Sequence, residues 1–219
     1  MKNKPKYIKN WVLTGSLCGL LAMLVYPLMI FVELPAMIMV FLAAFFGPLL
    51  MVAFVGLYHL LVVQGKTLTA LLGTVFSVAG ALVVNLMLLV QLSVRMGTRE
   101  YMENAGVVII EKIQWISRIV DQVQLGLDVS WDIFISLGTV LFGIAMFSHP
   151  RFGKLMGVAG VLVGFLLLVT NLITFPQPPA EAGYFDFGPI MGLWYVLVAI
   201  LSLRSLNWIG NQSTLSEDL

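Results

Sequence analysis

The sequence predicts an all-α membrane protein: a polytopic bundle of six transmembrane helices in a single domain, residues 1–219, with an amphipathic helix at its outer face. The first observation is composition, because 60% of the 219 residues are hydrophobic and only 11% are charged, whereas soluble domains carry about 25% charged residues. The second is length, since several uncharged stretches exceed the roughly 20 residues that cross a hydrocarbon core. These properties exclude soluble enzyme folds, and a net charge of +1 excludes the basic footprint of nucleic-acid binding.

Six apolar runs define the predicted spans, at 11–32, 36–63, 68–94, 125–147, 155–175 and 188–203. The first run follows a basic N-terminus, but it is too long for the apolar region of a signal peptide, so we interpret it as a retained helix. Gly47 followed by Pro48 predicts a kink in the second span, because proline removes a backbone donor. A short basic turn joins spans four and five, and His149 within it is interpreted as an ordinary loop residue. A polar tail follows Arg204.

The segment between spans three and four is charged, unlike the spans on either side of it. Residues 95–124 carry four basic and four acidic side chains. Apolar residues recur there at spacings of three and four, which places them on one stripe of a helix: Ile109, Ile113, Ile116, Val120, Val123 and Leu127. Such a stripe predicts an amphipathic helix, assigned to 102–124, that lies on the membrane surface or caps the bundle.

The distribution of Lys and Arg predicts that both termini are cytoplasmic. With the N-terminus inside, the inner segments hold the unmatched basic residues Lys2, Lys4, Lys6, Lys9, Lys66, Arg151, Lys154 and Arg204. The two short outer loops hold Glu33, Glu181 and Asp186, without any Lys or Arg. We therefore expect a multi-pass protein of the cell membrane that has the lipid bilayer as a partner.

Four glycines form a small-residue face on span five. Gly153, Gly157, Gly160 and Gly164 are spaced by 4, 3 and 4 residues, so they stack on one side of the helix. Small residues at this spacing let two helix backbones approach closely in lipid. The face packs either within the chain or against a second copy or another membrane protein, and the sequence leaves both open.

Two acidic residues in span four need an explanation. Asp128 and Asp132 lie four residues apart, with Ser136 four further on, and residues at this spacing share one face of a helix. An aspartate at the centre of a membrane helix costs about 3 kcal/mol, so such residues face protein or water. At 1.5 Å per residue, Asp132 lies roughly 10 Å below the start of its span.

Three further polar side chains fall in the same half of the bundle or at its midplane. Tyr26 of span one and Asn171 of span five lie at depths comparable to that of Asp132, and Asn85 of span three lies near the midplane. Together with Asp128 and Asp132 they predict a mildly acidic cavity that opens outward. The alternative is that each side chain bonds a neighbouring helix and serves only to hold the bundle together.

No catalytic motif accompanies these residues. The chain lacks H-E-x-x-H, G-x-S-x-G and P-loop patterns, so we expect neither an enzyme nor a metal site nor a cofactor. His59 is interpreted as an interfacial histidine. The aromatic residues near the predicted boundaries, Trp194 and Tyr195 among them, are interpreted as an aromatic belt.

The second half of the chain resembles an uncharacterised family of bacterial six-helix membrane proteins, known only as a domain of unknown function. The similar elements, over about residues 126–175, are Gly126-Leu-Asp128, Gly138 and Gly143, the basic pair Arg151 and Lys154, and Gly157 with Gly160. The resemblance implies a six-helix bundle in a bacterial inner membrane and supplies no activity. Asp132 is not part of the family's pattern, so the resemblance implies nothing about it.

Two functions fit these observations. The first is binding or transport of a cation or polar small molecule through the outward-facing acidic cavity. The second is a non-catalytic structural or accessory subunit of a membrane complex, for which the glycine face and the charged segment would be docking surfaces. Against transport, the two halves of the chain show no repeated pair of broken helices.

Overall fold

The chain is all-helical. The computed structural model describes residues 4–103 and 106–215, which form helices and no β-strand. In chain order they are α1 (Lys4–Phe31), α2 (Ala36–Leu61), α3 (Leu68–Glu103), α4 (Val107–Met146), α5 (Gly153–Thr174), α6 (Gly188–Arg204) and α7 (Leu206–Leu215). The all-α class predicted from composition is confirmed. Residues 1–3, 104–105 and 216–219 of the predicted domain 1–219 lie outside the described ranges. They include Lys2, which contributed to the predicted orientation.

Five helices, α1 to α5, are long and apolar enough to cross a membrane. The sixth, α6, carries no charge before its last residue, Arg204, but has 17 residues, which corresponds to roughly 25 Å of helix. The chain is therefore a multi-pass membrane protein. The second helix runs through Pro48 as one continuous element.

Helices α1 to α6 are arranged as a closed ring. Each helix packs against its neighbour in the sequence, and α6 returns to pack against α1. Small residues allow the close approaches: a Cβ on Gly15 of α1 would lie 2.7 Å from the Cα of Gly56 on α2. Helices α5 and α6 meet over a smaller surface than the other neighbours.

The glycine face of α5 is used within this ring. A Cβ on Gly157 would lie 2.8 Å from the Gly143 carbonyl oxygen of α4, and one on Gly164 would lie 2.8 Å from the Ser136 carbonyl oxygen. Gly160 faces the ring of Trp194, whose Nε1 donates to the Met156 carbonyl at 3.1 Å. Trp194 is therefore an interior residue, and its assignment to an aromatic belt was wrong.

The segment 102–124 differs from its prediction, because it is not a helix of its own. It comprises the last two residues of α3 and the first half of α4. No glycine or proline interrupts the chain from residue 107 to 125, so the apolar stripe continues directly into the predicted fourth span. With 36 and 40 residues, α3 and α4 are roughly 54 and 60 Å long, against about 30 Å for a hydrocarbon core.

The two long helices give the bundle two unlike ends. We call one the hairpin end, where the extended α3–α4 hairpin lies beside the α1–α2 and α5–α6 connections. The other is the terminal end, which carries the start of α1, the α2–α3 and α4–α5 connections, and α7. Helix α7 occupies part of the predicted polar tail, and its Ile209 is buried.

His149 joins several elements at the terminal end, so its interpretation as an ordinary loop residue was wrong. It is only 4% exposed, and its Nε2 lies 3.3 Å from the Leu60 carbonyl oxygen at the end of α2. Its Nδ1 accepts the Arg151 backbone N–H at 3.3 Å, so Nε2 carries the proton and donates to Leu60. Burial lowers the pKa of His149; the bond to Leu60 opposes this shift and the charge of Arg151 adds to it.

Arg151 extends the same junction to the last helices. Its Nε donates to the Ser205 hydroxyl at 3.2 Å, and its Nη2 donates to the Arg204 carbonyl at 3.1 Å. The Trp208 ring of α7 packs edge-on against His149 at 5.5 Å. The α4–α5 connection is thus bonded to the ends of α2 and α6 and contacts α7.

Candidate functional site

A large open cleft lies at the hairpin end of the ring. It has a volume of about 2000 Å³ and is bounded by the end of α1, the start of α2, the outer parts of α3 and α4, and the first residues after α5. The cleft exists because α3 and α4 extend past the shorter helices and form a wall on one side. It has room for a ligand larger than a few water molecules.

Charged side chains line this cleft, with acids in excess. Four carboxylates and two guanidinium groups contribute to its surface: Glu33, Asp121, Asp128 and Glu181 against Arg95 and Arg99. A concave surface with one sign of charge in excess raises the local concentration of ions of the opposite sign. The cleft is therefore suited to a positively charged ligand.

Two of the sequence-predicted site residues, Tyr26 and Asp128, line the cleft directly. The Tyr26 ring stacks on Phe46 at 5.4 Å and meets Trp131 at 6.3 Å, so α2 and α4 both fix its position. Asp186, at the start of α6, interacts electrostatically with both Tyr26 and Asp128. The parts of α1 and α4 at the hairpin end and the residues just before α6 thus converge on one acidic region.

Asp186 also has a local structural role. Its Oδ1 accepts the Gly188 backbone N–H at 2.8 Å, and an unpaired N–H of this kind at a helix start is commonly capped by a short acidic side chain. This bond holds the Asp186 carboxylate at the first residues of α6. Sequence analysis placed Asp186 in an outer loop without assigning it to the site.

Asp132 lies one turn further into the bundle than Asp128, is half-buried, and also interacts electrostatically with Asp128 and Asp186. Asn171 of α5 lies at about the same depth. Gly164 faces Ser136 and Val140 across the antiparallel α4–α5 contact, so seven residues further along α5 correspond to about seven residues back along α4. That relation places Asn171 level with Asp132.

The fifth predicted residue, Asn85, lies elsewhere. Its Oδ1 accepts the Gly47 backbone N–H at 3.2 Å, and a Cβ on Gly47 would lie 2.6 Å from the Ala81 carbonyl oxygen. Asn85 therefore joins α3 to α2 at the point where the two backbones approach most closely around Pro48. The five predicted residues thus occupy three places: the cleft, the seam between α4 and α5, and the α2–α3 contact.

Sequence analysis did not identify a group of hydroxyls in the middle of the ring. Thr139 of α4 donates to its own Ile135 carbonyl at 2.7 Å, and the Tyr195 hydroxyl of α6 lies 2.7 Å from the Thr139 hydroxyl. Because Thr139 has a single proton, Tyr195 is the donor in the second bond. The Ser77 hydroxyl lies beside Tyr195 but outside hydrogen-bonding geometry. The spacing of Thr139, seven residues after Asp132, was the available signal.

The donor set of this region is made of carboxylate, hydroxyl and amide oxygens. Among the residues that the structure describes, no group of three or more His, Cys, Asp or Glu side chains is arranged to hold a metal ion. The available chemistry is electrostatic attraction and oxygen coordination, which suits ligands that carry positive charge.

Comparisons with known proteins give no match: no family model, no curated protein and no solved structure is significantly similar to this chain. A functional proposal for the chain therefore depends on its own residues.

Proposed function

We propose that this membrane protein binds a cation or a small, positively charged polar molecule in the cleft at its hairpin end. The observation that carries the proposal is the position of Asp128, which lines the cleft of about 2000 Å³ where carboxylates outnumber guanidinium groups. Asp186 adds to the same negative field. A ligand with one or more ammonium groups fits this charge and this space.

The proposal includes an orientation in which the cleft faces the outside of the cell. The connections at the terminal end contain Lys66, Arg151 and Lys154, whereas the short connections at the hairpin end contain acidic residues without Lys or Arg. This bias favours cytoplasmic termini in a cell membrane. We also propose, from the resemblance over residues 126–175, that the chain belongs to the uncharacterised bacterial six-helix family.

Binding is the part of the proposal that this conformation supports, in preference to transport. On the terminal side of Thr139, Phe54 packs against Phe142 at 6.2 Å and against Tyr195 at 5.4 Å. These rings close the interior toward the terminal end. Transport would require a second conformation in which this aromatic layer opens.

Thermal unfolding of the detergent-purified protein tests the cleft proposal, with putrescine and spermidine as probes. Specific binding stabilises the folded state by mass action, by about 2.7 kcal/mol at a ligand concentration 100 times Kd. We expect at least one polyamine to raise the Tm of the wild type, and Asp128→Asn to reduce that shift strongly.

The matched control is Glu111→Gln, because Glu111 is an exposed acid of the hairpin outside the cleft. This variant should respond like the wild type. Equal responses of wild type and Asp128→Asn would contradict the proposal.

The alternative function is an accessory subunit, and one surface favours it. The part of α4 beyond the other helices exposes large apolar side chains on a charged helix: Ile109, Trp115, Ile116, Ile119 and Val123. An apolar stripe at such a position is suited to a protein or membrane contact. Copurification of one membrane protein at fixed stoichiometry, lost in Ile116→Asp, would favour this function over ligand binding.

A further inference from the structure

One buried hydroxyl on α4 departs from a pattern that the rest of the bundle follows. Among the residues whose burial the structure describes, six of the eight buried Ser and Thr side chains donate to the carbonyl four residues earlier in the chain: Ser16, Thr139, Thr170, Thr174, Ser202 and Ser205. Ser77 and Ser136 are the exceptions; both are fully buried and neither hydroxyl has a hydrogen-bond partner among the described residues. Ser77 at least lies beside the Tyr195 hydroxyl.

An unpaired hydroxyl of this kind is costly, since burying one without a partner destabilises a protein by about 1–3 kcal/mol. Ser136 could remove this cost by donating to the carbonyl of Asp132, as Ser130 does to the Gly126 carbonyl at 2.7 Å. Its hydroxyl makes no such bond. Buried polar groups without a protein partner are typically satisfied by a bound water or ion.

Two side chains with oxygen atoms lie about one helical turn from Ser136 toward the hairpin end. Asp132 precedes it by four residues and shares its face of α4. Asn171, level with Asp132 across the α4–α5 contact, is 4% exposed, and its Nδ2 donates to the Leu167 carbonyl at 3.1 Å. This bond turns the amide Oδ1 away from the Leu167 carbonyl and leaves it as an acceptor.

We propose that Asp132, Ser136 and Asn171 form a second, deeper site that binds one small monovalent cation such as Na⁺. A carboxylate, a hydroxyl and an amide oxygen are the ligands that hard cations prefer. One carboxylate balances one positive charge, whereas Ca²⁺ and Mg²⁺ each carry two charges and take six or more oxygen ligands. The site rests on the proposed function, because the acidic cleft supplies the route by which the cation reaches Asp132.

Binding of ²²Na⁺ to the purified full-length protein tests this site directly, with choline chloride keeping the ionic strength constant. We expect one Na⁺ per chain and at least a tenfold loss of affinity in both Ser136→Ala and Asp132→Asn. Ser130→Ala is the matched control, because Ser130 is on the same helix but donates to its own backbone; it should bind Na⁺ like the wild type. Na⁺ should also raise the Tm of the wild type and of Ser130→Ala only.

The two proposals fail in different ways. Ser136→Ala removes a hydroxyl that has no protein partner, so we expect it to fold as well as the wild type in choline chloride, and its Na⁺ affinity can be measured. Wild-type affinity in Ser136→Ala, or equal losses in Ser136→Ala and Ser130→Ala, would overturn the deep site. A polyamine effect that persists in Ser136→Ala would then leave the cleft intact. A Ser136-dependent Na⁺ effect without any polyamine effect would support the deep site and contradict the polyamine-type ligand.

Discussion

The interior of the ring has two halves built on different principles. In the terminal half, apolar side chains fill the space between the helices, and Phe142, Met146 and Leu60 are completely buried. In the hairpin half, Asp128 and Asp132 are only half-buried, and Asp128 borders an open cleft. Packing therefore holds the bundle together in the terminal half, and the hairpin half is the part that is open to a ligand. Helices in lipid associate through close packing, which the terminal half supplies.

The largest effect should come from emptying the packed half. Phe142→Ala removes a ring that packs against Phe54 at 6.2 Å and fills the space beside Gly73, and we expect a loss of about 3–4 kcal/mol in the free energy of unfolding. Phe165→Ala, on the exposed side of α5, should cost less than about 0.5 kcal/mol. Denaturant titration in mixed micelles measures both. Similar losses for the two variants would contradict the division into packed and open halves.

A substitution in the α4–α5 seam should have the next largest effect. Gly157→Leu places a branched side chain where even a Cβ would lie 2.8 Å from the Gly143 carbonyl oxygen, so α4 and α5 must separate, at a cost of about 2–3 kcal/mol. Val158→Leu enlarges the neighbouring, exposed position and should be close to neutral. Thermal unfolding of both variants measures the difference, and a stable Gly157→Leu protein would show that the seam tolerates separation.

A substitution of Asn85 tests whether this polar side chain contributes to stability or to ligand binding. Asn85→Leu leaves the Gly47 backbone N–H without its acceptor, and we expect a loss of about 1–2 kcal/mol in stability with polyamine and Na⁺ binding unchanged. Leu86→Ala, on the exposed side of α3 at the same depth, is the stability control. A binding defect in Asn85→Leu without loss of stability would instead place Asn85 in the ligand site.

The smallest effect should be a pH dependence at the terminal end. Because the pKa of His149 is lowered in the folded state, the unfolded chain binds the proton more readily, and the contribution of His149 to stability falls as the pH drops through its ordinary pKa of about 6.5. The loss levels off below the folded-state pKa. His149→Gln keeps a donor for the Leu60 carbonyl without this titration, so its Tm should fall less than that of the wild type between pH 8 and pH 5. Parallel curves would contradict the prediction.

The fold class and much of the packing could be predicted because they depend on local pattern. Hydropathy identified the apolar helices, and the glycine spacing identified the face that contains Gly157. The projecting hairpin could not be predicted, because an apolar stripe has the same period on a surface helix as on a helix that extends a span. Burial of His149 and Trp194 depends on partners far away in the sequence, so their positions in the chain indicated only a loop and a boundary.

The candidate site could be predicted as far as it depends on the depth of each residue in the bundle, which residue counting supplies. Counting residues from the ends of the spans placed Tyr26 near the acids of α4, and the structure has Tyr26 and Asp128 in one cleft. The bond from Gly47 to Asn85 depends on the register between α2 and α3, which residue counting does not supply. Whether the Ser136 hydroxyl is paired depends on the rotamer of that side chain. The position of Asn171 relative to α4 depends on the register between α4 and α5.

The closed ring of sequence neighbours has a consequence for biosynthesis. As each helix leaves the ribosome and enters the membrane, the helix made just before it is already present as its packing partner, so contacts of low sequence separation form first. The exceptions are the contacts of α6 with α1 and α2 and of α7 with α1, which have to wait until nearly the whole chain has been synthesised. A chain truncated before α6 would therefore retain its neighbour contacts and still expose the side of α1 that should close the ring, a surface by which quality-control proteases can distinguish unfinished molecules from complete ones.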